Sequence, residues 1–449
     1  MAILSRYKQN NNRYFCVWSE SMKIAIYLYL AIVSVFLISC ANPINSKNIN
    51  SELTFQNEIY KGLNQTSVTW ESNPRSIANG NDGQLLIRAS ESMNLLYAES
   101  NQNGNQNLFL TKSRNLGDSF SNPIQVNSNA GEVNAHGENG PKLRQGKGRG
   151  IFAAWVGNRD IKFSRSMNFG KSFTPALTIN NDLGKASQSF LSMEVAPDGN
   201  IYLAWLDGRD KKINAPGTSS LYISKSSDNG SSFGRNIKVA GNICPCCRPA
   251  IAFGDSGEIF ISWRHVYKNN ERKIVIASSL DNGITWSNPM PVTSNGWKIN
   301  GCAHSGPTLS YVDGKLFVIW YTGVNSEARL KLARSSDKGK TFETIGIING
   351  KVLDPNHPNM IKVKYESWVI FQGRDPLNQG GWGLPKAWIV RINKDGRFGR
   401  PEELPTQGGG VTYPHLFTGT GGRIYALWTE INDGGHDVVL CRGRIHKGG

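Results

Sequence analysis

Short apolar runs closed by an aromatic recur along the chain: GIFAAW ends at Trp155, NIYLAW at Trp205, EIFISW at Trp263, KLFVIW at Trp320 and RIYALW at Trp428. QLLIRA near Ile87 and SWVIFQ near Phe371 complete the set. Each reads as a buried strand bounded by turn residues, and no long segment beyond the N-terminus has helical periodicity. A further strand precedes most of them and opens on proline, at Pro74, Pro141, Pro249, Pro307, Pro358 and Pro414. At a strand's first residue the missing N–H costs no ladder bond. FLSMEV, the corresponding run of the third unit, lacks the proline.

A polar signal runs in phase with the apolar one. SRNLGDSF at 113, SMNFGKSF at 166, SSDNGSSF at 226, SLDNGITW at 279 and SSDKGKTF at 335 all fit S-x-D/N-x-G-x-S/T-F/W, with starts 53, 60, 53 and 56 residues apart. A degenerate copy, NKDGRF, begins at Asn393. In each, glycine supplies a positive φ, the Asp or Asn side chain accepts turn N–H groups, and the aromatic plugs a gap between sheets. A period near 55 marks one repeated supersecondary unit: an inner strand, a central aromatic-ended strand, a third strand, the polar turn and a fourth strand. The expected fold is an all-β propeller of four-stranded antiparallel blades over residues 66–449. Seven central strands give seven blades, with six as the alternative. The last unit runs out of chain before a fourth strand, and TSVTWES just before Pro74 is placed to supply it.

The repeated turn resembles the Asp-box of the sialidase-like (BNR repeat) proteins, over about residues 70–400. The resemblance implies a propeller whose Asp-boxes lie on the face opposite the active site, although typical sialidases have six blades. The loops entering the inner strands and those following the central strands then share the other face. They hold AHGENGP, CPCCRP, NGCAHSGP, DPNHP and GGGVTYPH, and WLDGRD, WRHVYKNNER, WYTGVNSEAR, FQGRDP and WTEINDGGHD, and with them nearly every cysteine, histidine and paired charge outside the N-terminal signal and tether. The family's arginine triad, Tyr–Glu nucleophile pair and acid/base Asp imply candidates here. They are Arg75, Arg209, Arg248 and Arg374 for the substrate carboxylate, Asp207 as acid/base, and Tyr413 or Tyr321 with Glu430 or Glu138 as the nucleophile pair. The family's early Arg-Ile-Pro is absent; Arg75 is followed by Ser-Ile. The implied activity is that of an exo-glycosidase on sialic acid or related acidic glycans. A non-catalytic glycan- or protein-binding propeller is the first alternative.

The second alternative is a metal-binding propeller. Cys244, Cys246, Cys247, Cys302 and His304, with His136, His357 and His415, fall in or beside the entering loops, and thiolates with imidazole suit copper or zinc. The spacing is not a standard zinc motif. Export favours disulfides instead, as a staple between the loops of the fourth and fifth units, whose connectivity sequence does not choose. Cys441 reads as a buried, inert thiol.

The N-terminus supplies the reason to expect export. An apolar run from Ile24 to Ile38 follows Met22-Lys23, suits a secretory signal better than a membrane span, and ends in Leu37-Ile38-Ser39-Cys40. That ending resembles a bacterial lipobox, which implies lipidation at Cys40 and a membrane-anchored protein of the cell envelope. Residues 1–40 are read as the signal, with Met22 a candidate start, and the Asn-rich segment 41–65 as a tether. The formal charge of +16 comes without a Lys/Arg run or a nucleic-acid motif. It is read as a diffusely basic surface suited to acidic ligands, on a monomer that does not bind nucleic acid.

Overall fold

The computed structural model describes residues 68–446, apart from 72, 183, 216 and 376–382. Cys40, the signal and the tether lie outside the described residues. Among the described residues, no helix is long and apolar enough to cross a membrane. Those residues form antiparallel strands joined by turns and loops, and the helical elements among them are three three-residue 3-10 turns.

The strands pair within the repeated units. The first sheet runs Asn81–Ile87, Met93–Ser100, Gln106–Ser113 and Ile124–Gln125. The second runs Lys142–Gln145, Ile151–Gly157, Asp160–Ser166 and Leu177–Thr178. A nine-stranded sheet follows. It begins Gln188–Val195, Ile201–Asp207, Ser219–Ser226 and Ile237–Ile243, then crosses the single bridge Ile243↔His265 to Ile259–Val266, which lies between Ala250–Phe253 and Glu271–Ser279. Two four-stranded sheets come next. One runs Thr308–Val312, Lys315–Thr322, Arg329–Ser335 and Glu343–Ile347; the other runs Leu353–Val363, Glu366–Arg374, Lys386–Ile392 and Glu402–Glu403. In the last sheet, Gly410–Thr418, Arg423–Asn432 and Gly435–Ile445 are completed from the other end of the chain, because Val68–Trp70 and Arg75–Asn79 both pair with Gly435–Ile445.

The first unit differs from the sequence expectation. QLLIRA is its first strand, not its central one, and the central strand is Met93–Ser100. MNLLYAES has a polar end and its aromatic, Tyr97, lies inside the run, so the glycine-to-aromatic frame does not mark it. Pro74 accordingly precedes an outermost strand, Arg75–Asn79.

The core is divided among the sheet contacts. Phe152 and Phe163 pack with Leu191, Met193 and Trp205 of the next unit. Leu95 and Tyr97 of the first sheet pack with Tyr425, Leu427 and Leu440 of the last. The Asp-box aromatics sit against these clusters: Phe120, Phe173, Phe233, Trp286 and Phe342 each join a different one. They are partly buried there, so each contributes less than the roughly 1.5–3 kcal/mol of complete burial.

The Asp-box turn itself is a local hydrogen-bond cage. Asp337 Oδ1 accepts the N–H groups of Lys340 (3.1 Å) and Thr341 (2.9 Å), Oδ2 accepts the Thr341 hydroxyl (2.6 Å), and Ser335 Oγ accepts the Gly339 N–H (2.8 Å). Gly339 has φ +81°. Asp337→Ala is therefore expected to lower stability by about 1 kcal/mol, the low end for orphaned donors because water reaches this turn. Thermal unfolding checks it, and an unchanged midpoint would remove the cage from the account of the fold.

Candidate functional site

The first strands of several units break register near their starts. The gaps fall at Asn81/Gln84, Ser189/Ser192, Asn356/Asn359 and Thr412/His415. Inside each gap one non-glycine residue has a left-handed backbone: Asp82 (φ +54°), Phe190 (+51°), His357 (+49°) and Tyr413 (+49°). An extra residue in a strand bends it and re-aims a side chain. Such strain of order 1–3 kcal/mol persists only where the surroundings hold it. Pro358 and Pro414 follow two of these positions directly, where the broken ladder needs no N–H.

Three of the re-aimed side chains meet around Glu138, which stands on the 3-10 turn Gly137–Asn139. Glu138 Oε2 accepts the Gly306 N–H (3.0 Å) and the Arg248 N–H (3.4 Å), and lies 3.6 Å from Arg248 Nε. Its Oε1 is 3.3 Å from His357 Nδ1. Burial opposes charge on Glu138, but Arg248, His357 and the Gly306 N–H together outweigh it and hold the carboxyl at about 2. An ionised carboxylate only accepts, so Nδ1 of His357 donates to it, and Nε2 is the ring nitrogen left for substrate.

Tyr413 covers His357, with ring centroids 4.1 Å apart. Its N–H donates to Gln372 Oε1 (3.1 Å). Burial, then Glu138 and Asp82, push the phenol up to about 12, so the hydroxyl is protonated at neutral pH. Gly137 leaves room for this ring; a Cβ there would overlap it, and φ is +54°. The Gly137 N–H donates to Asp82 Oδ1 (2.9 Å). Burial raises Asp82 to about 7, against Lys142, the Gly137 N–H and Asn81. Burial, then Arg248 and Arg144, lower Lys142 to about 7. Lys142 donates to the Gly140 carbonyl (2.7 Å). Burial, Lys142, Arg248 and Arg144 depress His415 to about 3. Lys142, Arg144, Arg248 and His415 line a cavity of about 870 Å³, whose walls come from the first strands of every unit.

The other candidates lie elsewhere or are already engaged. Asp207 is fully buried, accepting the Trp205 indole N–H (2.8 Å) and pairing with Arg209 (2.8 Å). Glu430 accepts the Trp428 indole N–H (2.9 Å) and the Gly409 N–H (2.8 Å). His265 takes the Trp263 indole N–H at 3.4 Å. Strand alternation explains the series, since a polar residue two positions past the central aromatic shares its face. Arg209 also lies over the Tyr222 ring (4.3 Å) and donates to Asn181 (2.8 Å), beside a separate lysine-bearing cleft. Arg75 pairs with Asp118 (3.0 Å) at the first Asp-box turn. Arg374 pairs with Asp354 (3.2 Å). Tyr321 packs edge-on against Trp297, with centroids 5.6 Å apart. Asp82 and Lys142 were not among the sequence candidates. The available signal was an aspartate in the strand NDGQLLI, where Asp is disfavoured.

The cysteines of the two entering loops come together. Cys244 Sγ lies 3.6 Å from both Cys246 Sγ and Cys247 Sγ, and Cys246 and Cys247 are 3.9 Å apart. Cys302 joins Cys244 and Cys246, with all three sulfurs within 4.8 Å of one another. His304 is outside that mutually close set. Among the described residues no disulfide joins these cysteines or Cys441, so the staple expected from export is not supported. Arg272 Nη1 donates to Cys244 Sγ (2.8 Å). The neighbouring thiols, then Arg272 and Arg264, depress Cys244, whereas hydrogen bonding within the trio raises Cys246.

No family model and no curated protein matches the sequence. Solved structures do share the fold. An ulvan lyase of polysaccharide lyase family PL25, bound to -[GlcA(1-4)Rha3S]-, superposes with TM-score 0.53 at 11% identity, over 84% of this chain and 94% of that one. Polysaccharide lyase Uly1 gives TM-score 0.51 at 11% identity, over 87% and 95%. A Hadza microbial sialidase gives 0.48 at 15% identity, over 75% and 73%. The shared fold is thus that of the polysaccharide lyases.

Proposed function

We propose that the protein is a closed seven-bladed propeller that cleaves an acidic polysaccharide by β-elimination at a uronate. Closure is supported by the N-terminal strands on the last sheet and by the shared core of the first and last sheets. The chemistry rests on one observation: a carboxylate-oriented imidazole, packed at a tilt against a protonated phenol, beside an arginine.

In this reading Arg248 pairs with the substrate carboxylate, which acidifies the adjacent C–H and stabilises the enolate that forms. His357 Nε2 removes that proton. The Tyr413 hydroxyl gives its proton to the departing glycosidic oxygen as the C–O bond breaks and a C=C bond forms. Glu138 keeps the imidazole in the required tautomer. The +16 charge favours a polyanionic substrate. The solved lyase bound to a glucuronate-containing glycan supports the substrate class through fold alone.

The sialidase-like alternative also draws on this cluster, with Tyr413 as nucleophile and Glu138 as its base. Burial and neighbouring carboxylates disfavour the phenolate it needs. Incubation with polyuronates and with sialosides separates the two. An unsaturated uronate product, seen by its ultraviolet absorbance and by mass, is expected. Released sialic acid without any unsaturated product would overturn the lyase reading.

We propose in addition that Cys40 carries lipid and tethers the propeller to a membrane of the cell envelope. Cys40→Ala is expected to abolish processing at that residue, as read by the mass of the mature protein and its membrane fraction. Unchanged mass and retention would refute the anchor.

A further inference from the structure

We propose that Cys244, Cys246 and Cys302 form a three-thiolate site for a zinc ion, with the fourth position open to solvent. The two loops that carry them are far apart in sequence, yet their sulfurs already stand within 4.8 Å of one another. A tetrahedral ion with Zn–S bonds of about 2.3 Å holds its sulfurs about 3.8 Å apart. The Cys244–Cys246 separation of 3.6 Å is close to that edge, so binding asks for little movement. Cys302 is exposed, which gives the ion an approach and leaves one side wet.

The surroundings fit a metal thiolate. Three thiolates on a divalent ion leave one net negative charge, and Arg272 Nη1 already donates to Cys244 Sγ at 2.8 Å. Cys247 donates its S–H to Cys244 from 3.6 Å, as a hydrogen-bonding neighbour and not a fourth ligand. Val266 and Ala303 pack on the sulfurs, with Phe190, Trp297 and Tyr321 around them. The Cys244 N–H is fixed by the Arg264 carbonyl (2.9 Å), and Arg264 Nη2 donates to the carbonyls of Ser305 (3.1 Å) and Tyr321 (2.8 Å), bracing the loop of Cys302. Cys247 is followed directly by Arg248, so a bound ion would also steady the arginine at Glu138.

The test is titration of the reduced, chelator-stripped protein with Zn2+ in competition with a chromophoric chelator, and with Co2+ followed by its sulfur-to-metal charge-transfer band. Wild type is expected to bind one ion. Cys302→Ser should lose tight binding and the three-thiolate cobalt spectrum while remaining folded, since the side chain is exposed. Cys247→Ser should keep both. Arg272→Gln should weaken binding by about 10–100-fold. The site is overturned if wild type binds no ion with its thiols titratable, if thiol counting finds these cysteines oxidised, or if Cys302→Ser binds as well as wild type. Equal loss in Cys247→Ser would overturn the three-ligand assignment in favour of four thiolates.

Discussion

His357→Gln is expected to lower polyuronate turnover by roughly 10²–10⁴-fold, the range a positioned general base supplies. The Glu138 carboxylate holds Nδ1, so the reacting nitrogen is Nε2, and the glutamine amide has no comparable basicity. His357→Ala should lose as much activity and also some stability, because the ring packs under Tyr413. Asp207→Ala supplies the contrast. Its carboxylate is spent on Trp205 and Arg209, so its loss should lower the unfolding midpoint and leave kcat of the folded fraction near wild type. If His357→Gln stays active while Asp207→Ala is inactive at unchanged stability, the acid/base assignment implied by the sialidase resemblance is right and the lyase mechanism is wrong.

The fold was legible because its signals are local and periodic. A serine, an Asp or Asn, a glycine and an aromatic at fixed spacing are what one turn needs, and the turn repeats. The first unit was misread because its apolar first strand looked more like a central strand than MNLLYAES did. The site was legible only by loop. Sequence placed Arg248, Tyr413, Glu138 and His357 on the same set of entering loops. It did not show that bulges at positive φ turn Asp82, His357 and Tyr413 inward, since that conformation depends on pairing with the neighbouring strand. Asp207 and Glu430 misled for a related reason. A carboxylate at the end of a central strand looks catalytic until the indole two residues earlier is seen to donate to it. The thiols needed the third dimension most, because the loops of Cys244 and Cys302 meet only across two sheets.

Glu138→Ala is expected to cost about 3–5 kcal/mol, the range for removing one partner of a buried ion pair. The change strands Arg248 in a nearly buried position, leaves the Gly306 N–H without its acceptor and frees His357 to take either tautomer. Loss of turnover should accompany the loss of stability. Glu138→Gln separates the two effects, since it keeps an acceptor oxygen for His357 but removes the charge. The pH dependence gives a further check. The folded carboxyl is held at about 2, below its ordinary 4.5, with burial opposed and overcome by Arg248 and His357. A depressed acid stabilises the fold fully above the unfolded value and loses that contribution as pH falls through the folded one. The gap in unfolding midpoint between wild type and Glu138→Gln should therefore be widest near neutral pH and close between pH 4.5 and about 2. A gap that is constant across that window would mean the carboxylate is not held charged by Arg248 and His357, and the orientation of the imidazole would lose its cause.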